Sequence, residues 1–427
     1  MPQYKLILPA ALLITLASAS AQATNGYFAH GYGTKSKAMA GSGVAFSQDS
    51  MAAATNPAGM VFQGRRMDIG ASVFRPFRSY EAAAGGLVNG NGQTVDSDRE
   101  EFLIPHFGYN HPLDEKSAIG VSVYGNGGMN TYHEYKDTPG DFGTYGGGTA
   151  GVDLMQAFIT PTYSRKLSDT ASYGVSAVIA YQRFKAYGLQ NFSGLSNDSS
   201  NLTEKGYDDA WGIGAKIGFQ AEVTPGITLG ASYQSKIYSE EFDKYKGLFA
   251  EQGDFDIPAT ATIGLAAALN KDTVVTFDVQ RIWYSDVDSI ANDMLPAFTN
   301  CATRITPTSP YCLGGDKGIG FGWDDMTIYK LGIQWQSSPD WTWRAGVSHA
   351  EMPIDKSEVI FNILAPAVVE EHITFGFTHK LDKNNEINFA AMYAPEESIS
   401  GNPITGQEIE IEMDQYELEL SWGMTWD

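Results

Sequence analysis

Along most of this chain, apolar and polar residues alternate with a period of two. The C-terminal stretch shows it best: Tyr416, Leu418, Leu420, Trp422, Met424 and Trp426 alternate with Gln415, Glu417, Glu419, Ser421, Gly423 and Thr425. A strand sends successive side chains to opposite faces, so this pattern predicts one apolar face ending in aromatics and one polar face carrying two glutamates. The same alternation recurs at Ile373, Phe375 and Phe377, at Tyr329, Leu331, Ile333 and Trp335, and at Ile227, Leu229, Ala231 and Tyr233.

Short and long connections take turns between these strands. The short ones carry turn chemistry: Asp114-Glu115-Lys116, Ser168-Asp169, Thr224-Pro225, Asn270-Lys271, Ser338-Pro339 and Asp382-Lys383-Asn384. The long ones fall at roughly 80–99, 130–150, 188–205, 243–253, 288–320, 351–368 and 396–411. Short turns on one side and long loops on the other are the layout of an outer-membrane barrel. The segments predict an all-β chain: a transmembrane antiparallel β-barrel of about 14 strands over 65–427, with both ends on the periplasmic side. A soluble sandwich or propeller would show shorter strands without that asymmetry. Outer-membrane strands commonly finish on an aromatic; here Asp427 follows Trp426.

The alternation is absent before residue 65. Lys5, the apolar run from Leu6 to Leu16 and the Ala21-Gln22-Ala23 site predict a secretory signal over 1–23. The run is too short to span a bilayer, and no other segment approaches about 18 consecutive apolar residues. Residues 24–64 are small, polar and without helix or strand period. A barrel of that strand number has a lumen that is either water-filled or plugged. The segment is therefore expected to be a hatch inside the lumen. Gly41 and Gly43 would allow tight turns there, and Asn56-Pro57-Ala58 would fix another.

Composition narrows the function. The 427 residues carry a formal net charge of −22, which excludes a nucleic-acid partner. The seven histidines are scattered, and no G-x-S-x-G or H-E-x-x-H pattern occurs, so no enzyme, metal centre or cofactor is expected. Glu408, Glu410, Glu412 and Asp414 share one face if extended; they read as a solvated acidic loop, with divalent-cation attraction near lipopolysaccharide as the alternative. Cys301 and Cys312 lie in one polar loop. An exported chain meets oxidising conditions, two thiols without a nearby histidine cannot complete a zinc shell, and C-x-x-C spacing is absent, which leaves a structural disulfide.

The stretch from Gly41 to Asn56-Pro57-Ala58 resembles the hatch of the FadL/TodX-type outer-membrane transporters of long-chain fatty acids and other hydrophobic compounds. The resemblance runs along nearly the whole chain after residue 23. Ser122-Val123-Tyr124-Gly125-Asn126-Gly127-Gly128 falls where that family has its third strand, and Trp323-Asp324-Asp325-Met326 and Thr342-Trp343-Arg344-Ala345-Gly346 match later runs. The family implies capture of a hydrophobic ligand between outer loops, a pocket beside the hatch, and lateral exit where the third strand kinks, at Gly125, Asn126, Gly127 and Gly128. It also implies basic residues for a carboxylate head. One such position falls among Leu189, Gln190 and Asn191, the other on acidic Asp324. Arg183 and Lys185 are the candidate substitutes; lumen-wall charges paired with acids are the alternative reading. The expected partners are a long-chain fatty acid or other hydrophobic small molecule, outer-membrane lipid and lipopolysaccharide; a monomer is expected. The competing function is a surface barrel acting as adhesin or receptor. The apolar runs Met294–Phe298 and Phe361–Pro366 favour transport, because exposed apolar loops suit capture of a greasy ligand.

Overall fold

The computed structural model describes residues 25–426 apart from 91, 138–140, 303–307 and 404–405. The signal segment, Thr24 and Asp427 lie outside the described residues. Fourteen long strands form the wall: β1 (Arg65–Ala82), β2 (Phe102–Pro112), β3 (Ser117–Asn130), β4 (Gly151–Lys166), β5 (Ala171–Tyr187), β6 (Asp208–Thr224), β7 (Ile227–Gln234), β8 (Thr260–Asn270), β9 (Thr273–Ile282), β10 (Met326–Gln336), β11 (Trp341–Ala350), β12 (Glu371–Lys380), β13 (Asn385–Gly401) and β14 (Ile409–Trp426). Short strands at Thr94–Asp96 and Tyr238–Ser239 extend the sheet outside. Each long strand pairs with its sequence neighbours, and β14 returns to β1 from Arg65↔Trp426 to Ala82↔Ile409. Closure leaves no free end strand; the neighbouring strands β2 and β3 part over some of their length.

The period of two sorts the side chains as the alternation predicts. On β14, Tyr416, Leu418 and Leu420 are exposed on the lipid face, while Gln415, Glu417 and Glu419 are buried in the lumen. Aromatic rings gather near both ends of the apolar band, as membrane interfaces favour. Trp341 and Trp343 stack, with Phe377 edge-on to Trp343, near the short turns; Tyr181–Trp211 (5.1 Å) and Tyr393–Tyr416 (4.9 Å) lie toward the long loops. Among the described residues no helix is long and apolar enough to cross a membrane.

The interior has two tiers. Residues 25–64 pack against inward-facing wall residues in the lower tier. Above them the outer loops turn inward and join one apolar cluster with Tyr27, Phe28, Phe74, Tyr124, Phe158, Tyr284 and Trp323. This corrects the expectation of exposed apolar loops. Val359–Val369 is buried in the mouth, where Tyr145 and Thr131 donate to the carbonyls of Ile360 (2.7 Å) and Leu364 (2.9 Å). Burial of each large apolar side chain is worth about 1.5–3 kcal/mol, which draws the loop in. In the other run Leu295 stays exposed, but Met294 is buried. The acidic face is also not a free loop: Glu410, Glu412 and Asp414 continue β14 beyond its lipid face.

Candidate functional site

Residues 25–64 are tied to the wall by polar side chains that a lumen must satisfy. Asn56 caps the helical turn Pro57–Phe62 by accepting from Ala58 N (3.0 Å), and Pro57 begins it without a wasted donor. The same side chain donates to Val44 O (2.6 Å) and Phe219 O (3.1 Å), and Ser172 donates to Ala58 O (2.7 Å). Gly41 and Gly43 have φ of 76° and 132°, and the Gly43 and Val44 amides donate to the Asp278 carboxylate (2.7 and 2.9 Å). On the opposite wall Lys37 sits between Glu417 and Glu419, with its ammonium 2.8 Å from the latter. Burial opposes that charge, but the two glutamates outweigh it and hold Lys37 above the ordinary lysine range. Lys35 pairs with Glu386 (2.6 Å), which also takes Arg66.

The wall is incomplete at β3. Its ladder to β2 runs from Pro112↔Ala118 to Phe107↔Val123 and stops. Beyond that point Phe102–His106 of β2 still pair with β1, but no described residue of β3 bonds to them. On its other side β3 bulges between Gly125 and Gly127, with Asn126 as the extra residue. The freed backbone is used by the N-terminal segment: Ala29 N donates to Asn126 O (2.8 Å) and Gly128 N to Tyr27 O (2.9 Å). A Cβ at Gly127 would collide with the Tyr27 carbonyl, so glycine there permits this close approach. The Asn126 side chain is held by Tyr32 (2.8 Å) and Gln156 (2.9 Å).

A narrow, nearly closed apolar cleft, with a free volume of only about 10 Å³, lies at the upper end of this gap, lined by Phe74, Arg78, Met129, Asn130, Trp323 and Met413 among others. Arg78 projects inward from β1 and donates to the carbonyls of Asn130 and Arg99. Among the described residues no carboxylate lies within 4.0 Å of it, and its Nε and both amide atoms of Asn130 have no partner. Buried polar atoms are normally satisfied, so an apolar cleft that ends on three unsatisfied ones suits a ligand with a polar head.

Comparison with known proteins agrees with this architecture. A family model described as outer membrane protein transport protein (OMPP1/FadL/TodX) matches residues 10–403. The chain belongs to this family. The long-chain fatty acid transport protein of Escherichia coli (strain K12) is 22% identical, aligned over 100% of this chain and 98% of the relative. The Pseudomonas putida toluene transporter TodX superposes with a TM-score of 0.69 at 19% identity, over 93% of this chain and 99% of TodX. A Pseudomonas aeruginosa FadL homologue gives 0.68 at 15%, over 94% and 100%. These structures share the fold. The chain is therefore an outer-membrane barrel for transport of hydrophobic compounds and not an enzyme.

Within this FadL/TodX-family barrel, the residues singled out by sequence divide into three groups. Gly41, Gly43, Asn56, Pro57 and Ala58 face the wall from the lumen, and Gly125–Gly128 border the gap. Cys301 and Cys312 are joined (S–S 2.02 Å) in the connection between β9 and β10. Arg183 and Lys185 are not in the lumen. On β5 the even positions face inward, as Ser172 and Gln182 show, so Arg183 and Lys185 stand outside on the same face as exposed Val175. They cannot reach a ligand in the cleft. Asp324 lies in the approach to β10, its amide bonded to Pro353 O (2.9 Å). Arg78 and Asn130 escaped the sequence reading. Parity along β1 was the available signal for Arg78, since exposed Ile69, Val73 and Arg75 place the even positions inward.

Proposed function

We propose that this transporter takes up hydrophobic molecules with an anionic head, long-chain fatty acids being the fitting class, and releases them sideways between β2 and β3. Cargo enters at the mouth under the loop 351–370, pushes aside Ala365–Ala367, which close the cleft, lodges its chain among Phe74, Met129 and Trp323, and sets its carboxylate against Arg78 and Asn130. Residues 24–64 serve as the hatch, and residues 27–29 form the seal along β3. The observation that carries this reading is the coincidence of two features. The cleft, which ends on a guanidinium with no carboxylate partner among the described residues, stands at the level where β3 leaves β2. The inward fold of the outer loops supports transport over an adhesive surface, because the apolar side chains are withdrawn into the barrel mouth instead of being presented outward.

Arg78→Gln tests the head-group assignment. A hydrogen bond to a charged group contributes about 1.5–3 kcal/mol, so affinity for a long-chain fatty acid should fall roughly 10- to 150-fold. Affinity for a neutral hydrocarbon of similar length should change less than about threefold. Equal loss for both ligands would remove Arg78 from the head-group role. For the function itself, expression in a strain without its own fatty-acid transporter should restore growth on oleate; no growth with correctly inserted protein would overturn it.

A further inference from the structure

The outward-facing cations left over from the ligand question are organised. Going up the lipid face of β5, Tyr173, Val175, Ala177, Ile179 and Tyr181 are followed by Arg183 and Lys185. At about 3.3 Å per residue and a tilt near 40°, the run from Tyr173 to Tyr181 rises about 20 Å, close to the height of a barrel's apolar band. Tyr181 with Trp211 marks the upper interface. Arg183 and Lys185 are the next two outward positions, at the height of lipid head groups.

Other chain segments bring matching groups to this spot. The Arg183 guanidinium lies 3.5 Å over the Tyr207 ring and the Lys185 ammonium 4.3 Å over the same ring. Arg99 joins through Asp153 (3.0 Å), which also accepts from the Tyr207 hydroxyl (2.7 Å). Asp153 is only 3% exposed while Arg99 is 37% exposed, so the acid lies beneath and the cations lie on top. Asp209, opposite Arg183 in register, is engaged by Tyr181 (2.5 Å). Close by, the Tyr187 hydroxyl is buried with no hydrogen-bond partner. At the corresponding height across the barrel, β14 presents Glu410, Glu412 and Asp414 just above Tyr416. In a chain of net charge −22, Arg99, Arg183 and Lys185 thus gather three cations in one sector of the outer rim, opposite that acidic one.

We propose that Arg99, Arg183, Lys185 and the Tyr187 hydroxyl form a binding site for a phosphate group of the outer-leaflet glycolipid. The apolar face below would take its acyl chains. Asp153 and Tyr207 position the cations, and charge-assisted hydrogen bonds from Arg99, Arg183 and Lys185 together with the unpaired Tyr187 donor match a multidentate phosphate. The site lies outside the lumen and is independent of which cargo is carried.

The test uses delipidated, full-length barrel and native mass spectrometry with bis-phosphorylated lipid A, dephosphorylated lipid A and inorganic phosphate as probes. The parent should prefer the bis-phosphorylated form at least tenfold, and the preference should weaken from 50 to 500 mM salt. Each cation near an anionic surface is worth about a factor of five, so Arg183→Gln/Lys185→Gln should lose roughly 30-fold. Lys271→Gln, on an exposed turn at the opposite rim, should stay within about twofold of the parent. Lys185→Arg should retain binding, which separates charge from packing, and heat-modifiable gel mobility reports folding of every variant. Equal binding of dephosphorylated lipid A, or equal loss in Lys271→Gln, would overturn the proposal. So would full competition by millimolar inorganic phosphate, which would indicate a free-anion site.

Discussion

Lys37→Met removes the cation that fastens the N-terminal segment to β14. The side chain is nearly fully buried between Glu417 and Glu419, themselves 2% and 1% exposed. Removing one partner of a buried ion pair leaves an uncompensated charge and costs about 3–5 kcal/mol. His30 stands 3.5 Å from Glu417 and His106 3.3 Å from Glu419. Burial holds His30 well below the usual imidazole range, so it is neutral at pH 7 and does not replace the lost charge. At about 1.4 kcal/mol per decade, the population with the segment displaced should rise between roughly 100- and 4,000-fold.

Single-channel recording in planar bilayers reads this as frequent openings to small ions, since a barrel of this width conducts unless filled. The triple variant Lys37→Met/Glu417→Gln/Glu419→Gln removes the stranded charges as well. Replacing a buried pair by neutral groups is often close to neutral in stability, so its leak should fall back at least tenfold. Parent-level conductance in Lys37→Met would refute the reasoning, as would a triple variant as leaky as the single one.

Gly127→Ala puts a methyl group against the Tyr27 carbonyl and should break the two hydrogen bonds between residues 27–29 and β3; at about 1 kcal/mol each, amide exchange at Ala29 and Gly128 should accelerate roughly 30-fold, and unchanged exchange would show that the contact is not a seal. His133 is held near a pKa of about 4 by burial, and its ring reaches the carbonyls of Ile363 and Asp96 (both 3.3 Å). Its folded pKa is depressed, so its support of the mouth loop is complete above about 6.5 and is lost as pH falls through about 4. Hydrogen exchange at 359–369 should quicken across that window, and His133→Asn should flatten the dependence. Cys301→Ser/Cys312→Ser opens a loop whose closure is worth about 3 kcal/mol, so proteolysis between β9 and β10 should increase while heat resistance of the barrel stays unchanged.

What could be read from sequence was whatever repeats locally. Period-two alternation placed Glu417 and Glu419 in the lumen, and the six short turns fall where the wall reverses. Parity was equally able to place Arg183 and Lys185, because Val175, Ile179 and Tyr181 occupy the same face; reading the charges without their strand neighbours sent them to the wrong side. The apolar character of 359–369 was plain, but its direction was not. A loop's composition does not say whether it faces solvent or the mouth of a barrel formed by strands far away in sequence. Lys37 with Glu417, Lys330 with the His30 carbonyl, and Gly127 with Tyr27 depend on pairings between distant segments. No window of sequence contains them.

The division of the interior into tiers bears on the lateral exit proposed above. Below Ser122, whose hydroxyl bonds to Ser50 O (3.2 Å), the lumen is a mesh of buried ion pairs and amide contacts between the N-terminal segment and the wall. A long alkyl chain forced through that mesh would forfeit about 0.8 kcal/mol for each CH₂, on the order of 10 kcal/mol for a fatty acid. From Tyr124 upward the same strand, through Tyr124 and Met129, faces Phe158 and the apolar cluster under the loops. The bulge at Asn126 and the parting of β3 from β2 fall on this boundary. Any lower and the exit would be reached only through charged groups; any higher and it would open above the lipid tails that the cargo must enter. On that proposal, the two backbone hydrogen bonds at residues 27–29 would close the route, contributing about 2 kcal/mol of polar contact beyond packing. On the same proposal a bound ligand would displace that contact, while the Lys37 and Asn56 anchors hold the rest of the segment to the wall.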